Sequence, residues 1–142
     1  MRTTAFRFSK AAFWVVVIMG LAVRADASQK LCTDVEAGQA QREADQLRDW
    51  NSVYRSFKRF AQCDQGSIGE QYSDSVSRLL VHDWKHLDAL LRLTASDPNF
   101  EQFVIRHIDE TMSEDEAALI INNARLHCPA EAKRLCRSIT DY

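Results

Sequence analysis

Four cysteines constrain this chain more than any other feature, and they all lie in its last 111 residues, at positions 32, 63, 128 and 136. Their chemistry depends on the compartment, and the N-terminus indicates which one. Residues 1–27 combine three early basic residues, a 13-residue apolar run from Ala11 to Val23, and the A-x-A segment Ala25-Asp26-Ala27. This pattern predicts a secretory signal peptide that is too short to cross a membrane. We therefore expect an exported chain whose cysteines form two disulfides.

Residues 28–142 then form one predicted helical domain of ordinary size. Four of the 18 basic residues and one of the 20 acidic residues lie in residues 1–27, so the remainder has a net charge of −5. That charge disfavours nucleic acid and anionic membrane surfaces as partners, and it suits a basic protein better. We expect no membrane attachment once the signal is cleaved.

Helix breakers are scarce, with two prolines and four glycines in 142 residues. Apolar residues recur at three- and four-residue steps, which predicts an all-α bundle of five or six helices. We predict that residues 33–62 form either one long helix or two helices with a bend near Asn51. A helical pattern is also predicted for residues 68–94. Predicted helix starts are the capping sequences at Thr33, Ser67, Asp97-Pro98 and Ser113.

The disulfide pairing is predicted from helix length. A straight helix would separate Cys32 from Cys63 by about 45 Å, and a continuous one would separate Cys128 from Cys136 by about 12 Å, whereas bridged Cα atoms lie within roughly 7 Å. We therefore expect both bonds to join the first helical region to the C-terminal pair, as either 32–128 with 63–136 or 32–136 with 63–128.

Few residues indicate chemistry. His82 and His86 have the i, i+4 spacing of a zinc-binding helix, but Asp83 replaces the glutamate of H-E-x-x-H, and only His107 and His127 offer a third ligand. Exposed histidines on an amphipathic helix explain the pair better. His107 lies in an apolar segment and is expected to be a hydrogen-bonded core residue. We predict neither enzymatic activity nor a cofactor.

One loop is a candidate recognition surface. Asp64, Glu70 and Asp74 surround the turn-rich segment that follows Cys63, and a nearby disulfide would hold such a loop rigid. We predict these three acids as partner contacts.

Nearly all of residues 28–142 resembles a group of small exported proteobacterial helical proteins with four cysteines, and the specific part of the resemblance is the spacing of cysteines and aromatic residues. The matching residues are Trp50, Val53, Tyr54, Phe57, Cys63, Asp64, Gly66, Asp97, Pro98, Phe100, Cys128 and Pro129. These proteins are similar to periplasmic immunity proteins, which neutralise secreted antibacterial effectors such as cell-wall amidases. The resemblance implies a periplasmic inhibitor that covers an enzyme's active site, and it allows a homodimer; in an organism without an outer membrane the protein would be secreted. The alternatives are a helical carrier of a small apolar ligand and, less favoured, a metal-dependent hydrolase at His82 and His86.

Overall fold

A computed structural model describes residues 30–108 and 112–141, which form seven α-helices and no β-strand. The predicted signal peptide, residues 1–27, lies outside the described residues. The helices are α1 (Asp34–Ala44), α2 (Trp50–Phe60), α3 (Gly66–His82), α4 (Leu87–Ser96), α5 (Pro98–Arg106), α6 (Glu114–Leu126) and α7 (Lys133–Thr140). Single 3₁₀ turns span Ala61–Cys63, Trp84–His86 and Ala130–Ala132. The all-α prediction is confirmed.

The first helical region is two helices that fold back on each other. Thr33 caps α1 with its side chain and forms the predicted capping box with Glu36. The chain then turns over residues 45–49, where the Asp49 carboxylate accepts a 2.8 Å hydrogen bond from the backbone N–H of Ser52 and starts α2. The break therefore precedes Asn51, and α1 packs against α2.

The long predicted pattern of residues 68–94 is interrupted, which raises the helix number from the expected five or six to seven. α3 ends at His82, and Asp83 leaves helical geometry with φ −128°. Trp84 then donates a 3.0 Å hydrogen bond from its indole Nε1 to the backbone carbonyl of His127. This tertiary contact directs the segment toward the end of α6 before α4 begins.

Three of the four predicted helix caps are confirmed, and one is wrong. Thr33 and Ser113 form capping boxes, while Asp97 caps α5 ahead of Pro98. Ser67 does not cap α3, because its hydroxyl donates to the Gln41 side chain of α1 at 2.9 Å. The helix instead begins one residue before Ser67, at Gly66.

Helix α3 lies at the centre of the described bundle and packs against α1, α2 and α6. One hydrophobic core includes side chains from all seven helices. Its centre is aromatic: Tyr72 of α3 meets Phe103 of α5 edge to face at 5.1 Å between ring centroids. The Tyr72 hydroxyl also makes a buried 2.8 Å hydrogen bond with Ser56 of α2, and burial raises the pKa of this phenol.

The two disulfides are present, but the predicted pairing is wrong. Cys32 bonds Cys63, and Cys128 bonds Cys136, with Cα–Cα distances of 4.9 and 6.2 Å. The first pair meets because the turn at residues 45–49 brings the start of α1 beside the end of α2. The second pair meets because residues 128–132 form a turn, so that α7 starts only at Lys133.

Peptide mapping without reduction should therefore recover the 32–63 and 128–136 pairs. Removing each bond by double Cys→Ser substitution should destabilise the protein by different amounts. The chain-entropy relation gives about 3.7 kcal/mol for the first loop and about 2.6 kcal/mol for the second. Urea unfolding of both variants measures the two losses in the free energy of unfolding. A larger loss from removing Cys128–Cys136 than from removing Cys32–Cys63 would contradict the loop-length argument.

Candidate functional site

The candidate site is the loop from Cys63 to Gly66 together with the outer face of α3 that follows it. The loop is held at its start by the Cys32–Cys63 disulfide. At its end Gly66 has φ +53°, a left-handed conformation that L side chains rarely adopt. A backbone hydrogen bond of 2.8 Å from the Gln65 N–H to the Cys63 carbonyl closes the turn between them.

The Asp64 carboxylate turns inward from this loop. Its side chain is only 7% exposed, and its Oδ2 atom lies 2.7 Å from Arg106 Nη2 and 3.2 Å from His107 Nε2. Burial raises the pKa of this carboxyl, but the hydrogen bond and charge of His107 and the ion pair with Arg106 outweigh burial and lower the pKa below its ordinary value of 3.8. Asp64 is therefore an ionised anchor between the loop and the end of α5.

His107 extends the same network into the core. It is 4% exposed, its Nδ1 lies 3.0 Å from the Ser73 hydroxyl of α3, and its ring meets Phe103 edge to face at 4.4 Å. If Nε2–H donates to Asp64, Nδ1 accepts from Ser73. The prediction of a hydrogen-bonded core histidine is confirmed.

Asp64, His107 and Ser73 are the residue types of a nucleophilic triad, but their arrangement differs. In such triads the carboxylate bonds Nδ1 and the serine bonds Nε2, with an accessible hydroxyl. Here Nε2 of His107 contacts the carboxylate and Nδ1 contacts the serine. Ser73 lies in the middle of α3 and is buried, with 4% of its surface exposed. The geometry supports a bridge that fixes the loop to α3 and α5.

The three predicted contact residues occupy different positions in this surface. Asp64 and Glu70 line one solvent-open depression of about 340 Å³, together with Gly66 and Arg106. Asp74 lies one helical turn beyond Glu70, also exposed, and lines the adjacent depression with Arg78. Glu70 and Asp74 thus present carboxylates to solvent from one face of α3, while Asp64 holds the loop from beneath.

The two histidines considered as metal ligands, His82 and His86, lie in different structural elements. His82 ends α3, and His86 lies in the next 3₁₀ turn, where its Nδ1 is 2.7 Å from the Asp83 carboxylate. The expectation that both histidines share one helix face is wrong, because the helix breaks between them. Among the described residues no group of three or more potential ligands is placed to hold a metal ion.

Surface depressions in the described part give the apolar-carrier alternative no support. They open to solvent, and each has charged or amide side chains in its lining. The core positions that such a ligand would need are filled, since Trp50, Tyr72, Phe100 and Phe103 are buried there. The described helices also include none that is long and apolar enough to span a membrane.

Comparison with known proteins identified no related protein. No protein-family model matches the chain, and neither a curated protein nor a solved structure shows significant similarity to it.

Replacing Asp64 with asparagine should lower the free energy of unfolding by about 2 kcal/mol at pH 7, since it removes the charge from a buried hydrogen-bonded pair. A carboxyl with a depressed native pKa contributes stability above its unfolded pKa of about 3.9 and loses it as pH falls through the native value. The difference between wild type and variant should therefore shrink below pH 4 in denaturant titrations. Asp88→Asn, which removes the exposed Asp88–Arg92 pair, is the control and should change stability much less than Asp64→Asn does. A pH-independent Asp64→Asn effect would contradict the ionised anchor.

Gly66→Ala should destabilise by about 1 kcal/mol through backbone strain alone. A Cβ at this position would meet no atom within 4 Å, so crowding does not contribute. Gly38→Ala, in the interior of α1, is the matched substitution and should stabilise by up to about 1 kcal/mol. Equal effects in thermal unfolding would show that Gly66 does not need its left-handed conformation.

Proposed function

We propose that this protein is a periplasmic inhibitor that binds another protein, and specifically an immunity protein that neutralises a secreted antibacterial effector enzyme. The observation that carries the proposal is the anchored loop. Asp64, the Cys32–Cys63 bond and Gly66 fix the backbone beside two exposed carboxylates, Glu70 and Asp74. A surface that is rigid before binding loses little conformational entropy on association.

The compartment supports the same function. Both pairs of cysteines are at disulfide distance, which indicates an oxidising environment and an exported protein. The predicted signal peptide directs it to the periplasm. An immunity protein must act there, because its effector reaches the cell wall from outside.

Charge defines the partner surface that would fit. Glu70 and Asp74 lie four residues apart on α3, and neither makes an ion pair with a described residue. Asp74 has a nearby cation in Arg78, whereas Glu70 is the carboxylate more open to a partner's cations. A basic rim around the effector's active site would be attracted to this face, which speeds association more than it strengthens the final complex. In this arrangement Glu70 and Asp74 are the contacts, and Asp64 positions them.

The test is binding to a candidate effector encoded beside this gene. We expect the oxidised protein to form a complex with the purified effector and to inhibit it. Glu70→Lys with Asp74→Lys should weaken binding at least tenfold, mainly through slower association, and raising NaCl from 50 to 500 mM should slow association of the wild type. Surface-immobilised binding kinetics measure both effects.

Glu131→Lys is the matched control, because it makes the same charge change at an exposed residue of the 130–132 turn, away from α3. It should alter the dissociation constant by less than twofold. Full binding by the Glu70/Asp74 variant would place the contact elsewhere on the molecule, and absence of any complex with the neighbouring effector would refute the immunity function.

A further inference from the structure

A depression of about 340 Å³ lies between α3 and the start of α6, next to the acidic face formed by Glu70 and Asp74. Its lining combines carboxylates, nitrogen bases, a hydroxyl and one apolar side chain, and it includes Asp74, Ser77, Arg78, His82, Met112 and Glu116. The volume is at the lower end of the roughly 300–1,000 Å³ that ligand pockets have. The depression therefore matches one long side chain better than a larger ligand.

Ser77 provides an unused polar group in this lining. It is only 7% exposed, and its hydroxyl makes no hydrogen bond with a described residue. Serines inside helices commonly bond the carbonyl four residues earlier, and a buried hydroxyl without a partner costs free energy. Ser77 therefore offers an acceptor and a donor to a group that enters the depression.

Glu116 provides a second unused acceptor, on the α6 side. Its Oε2 atom accepts hydrogen bonds from the Ser113 hydroxyl at 2.7 Å and from the Ser113 backbone N–H at 3.2 Å, in the capping box of α6. These hydrogen bonds lower the pKa of the Glu116 carboxyl, so it is ionised at neutral pH. Its Oε1 atom accepts no hydrogen bond from a described residue. That oxygen is available to a donor from outside the chain.

The charge of the lining selects a cation. With His82 neutral, the lining carries two carboxylates, Asp74 and Glu116, against one guanidinium, Arg78. Nη2 of Arg78 donates to the Leu47 carbonyl in the turn between α1 and α2, so part of this guanidinium is already occupied within the chain. A neutral imidazole adds a further acceptor nitrogen. The depression is thus rich in acceptors and has a net negative charge.

We propose that this depression binds one arginine side chain of the partner protein, whose guanidinium donates to Glu116 Oε1, to the Asp74 carboxylate and to the Ser77 hydroxyl. The aliphatic part of that side chain then packs against Met112. Arginine fits better than lysine, because its planar group holds five donors in fixed directions. Arginine is also enriched among the interface residues that dominate binding free energy. The proposal rests on the proposed function for a protein partner, and it adds a site on α6 to the acidic face of α3.

A small probe tests the pocket without the effector. The probe is N-acetyl-L-arginine methylamide, which has no charge besides its guanidinium, and amide NMR of the oxidised protein follows its binding. We expect saturable shifts at Ser77 and Glu116 with a millimolar dissociation constant, as for a ligand of few atoms. The uncharged isostere N-acetyl-L-citrulline methylamide should bind at least about tenfold more weakly, and the lysine analogue at least about threefold more weakly. No saturable shift with the arginine probe, or equal binding of the citrulline probe, would overturn the proposal.

Glu116→Gln tests the assigned carboxylate. It removes the charge but keeps the capping box, since glutamine replaces glutamate there, and circular dichroism should show unchanged folding. The variant should bind the arginine probe at least about threefold more weakly. Glu114→Gln makes the same change at an exposed residue of the first turn of α6 that does not line the depression, and it should bind the probe as the wild type does. Equal weakening by the two variants would overturn the proposal, because it would show an effect of overall charge.

The effector complex tests the partner. A buried anchor acts on dissociation and a rim charge on association, so Glu116→Gln should speed dissociation about tenfold, whereas Glu70→Lys should slow association. Surface-immobilised kinetics measure both rates. Unchanged dissociation of the Glu116→Gln complex would overturn the proposal and leave the immunity function standing. Binding of the arginine probe without any effector complex would support the pocket and refute the immunity function.

Discussion

The ionised carboxylate of Asp64 connects three parts of this molecule that the backbone alone would leave separate. It contacts Arg106 and His107 at the end of α5, and His107 in turn contacts Ser73 in α3. A buried carboxylate is stable only with such partners, because removing a charge from water costs more than a single contact returns. The position of the Cys63–Gly66 loop, and hence of the acidic face beside it, follows from this one group.

Local sequence predicts the helix starts well, since a cap depends on residues within three positions of one another. Thr33 and Ser113 therefore cap as predicted. The predicted cap at Ser67 does not form, because its hydroxyl donates a hydrogen bond to the side chain of Gln41, 26 residues earlier. The break at Asp83 was not predicted, for the same reason. It depends on a hydrogen bond from the Trp84 indole to the carbonyl of His127, which lies 43 residues further along the chain.

The disulfide pairing and the role of Asp64 show what the sequence does not contain. The argument from helix length was sound for straight helices, but the turn at residues 45–49 shortens the distance from Cys32 to Cys63 to 4.9 Å between Cα atoms. In the sequence, Asp64 looks like an ordinary exposed acidic residue in a loop. Its partners, 42 and 43 residues downstream, become visible only in the folded chain. Glu70 and Asp74 keep the exposure that the helical pattern predicts.

The most direct measurement is a nuclear magnetic resonance titration of the Asp64 side-chain carboxyl in the folded protein. If Asp64 is the ionised anchor of the loop, its pKa lies below 3.8, and the His107 ring signals shift as Asp64 is protonated. A carboxyl that titrates at or above 3.8, without a response from His107, would show that Asp64 is not held by this network and would leave the loop without its anchor.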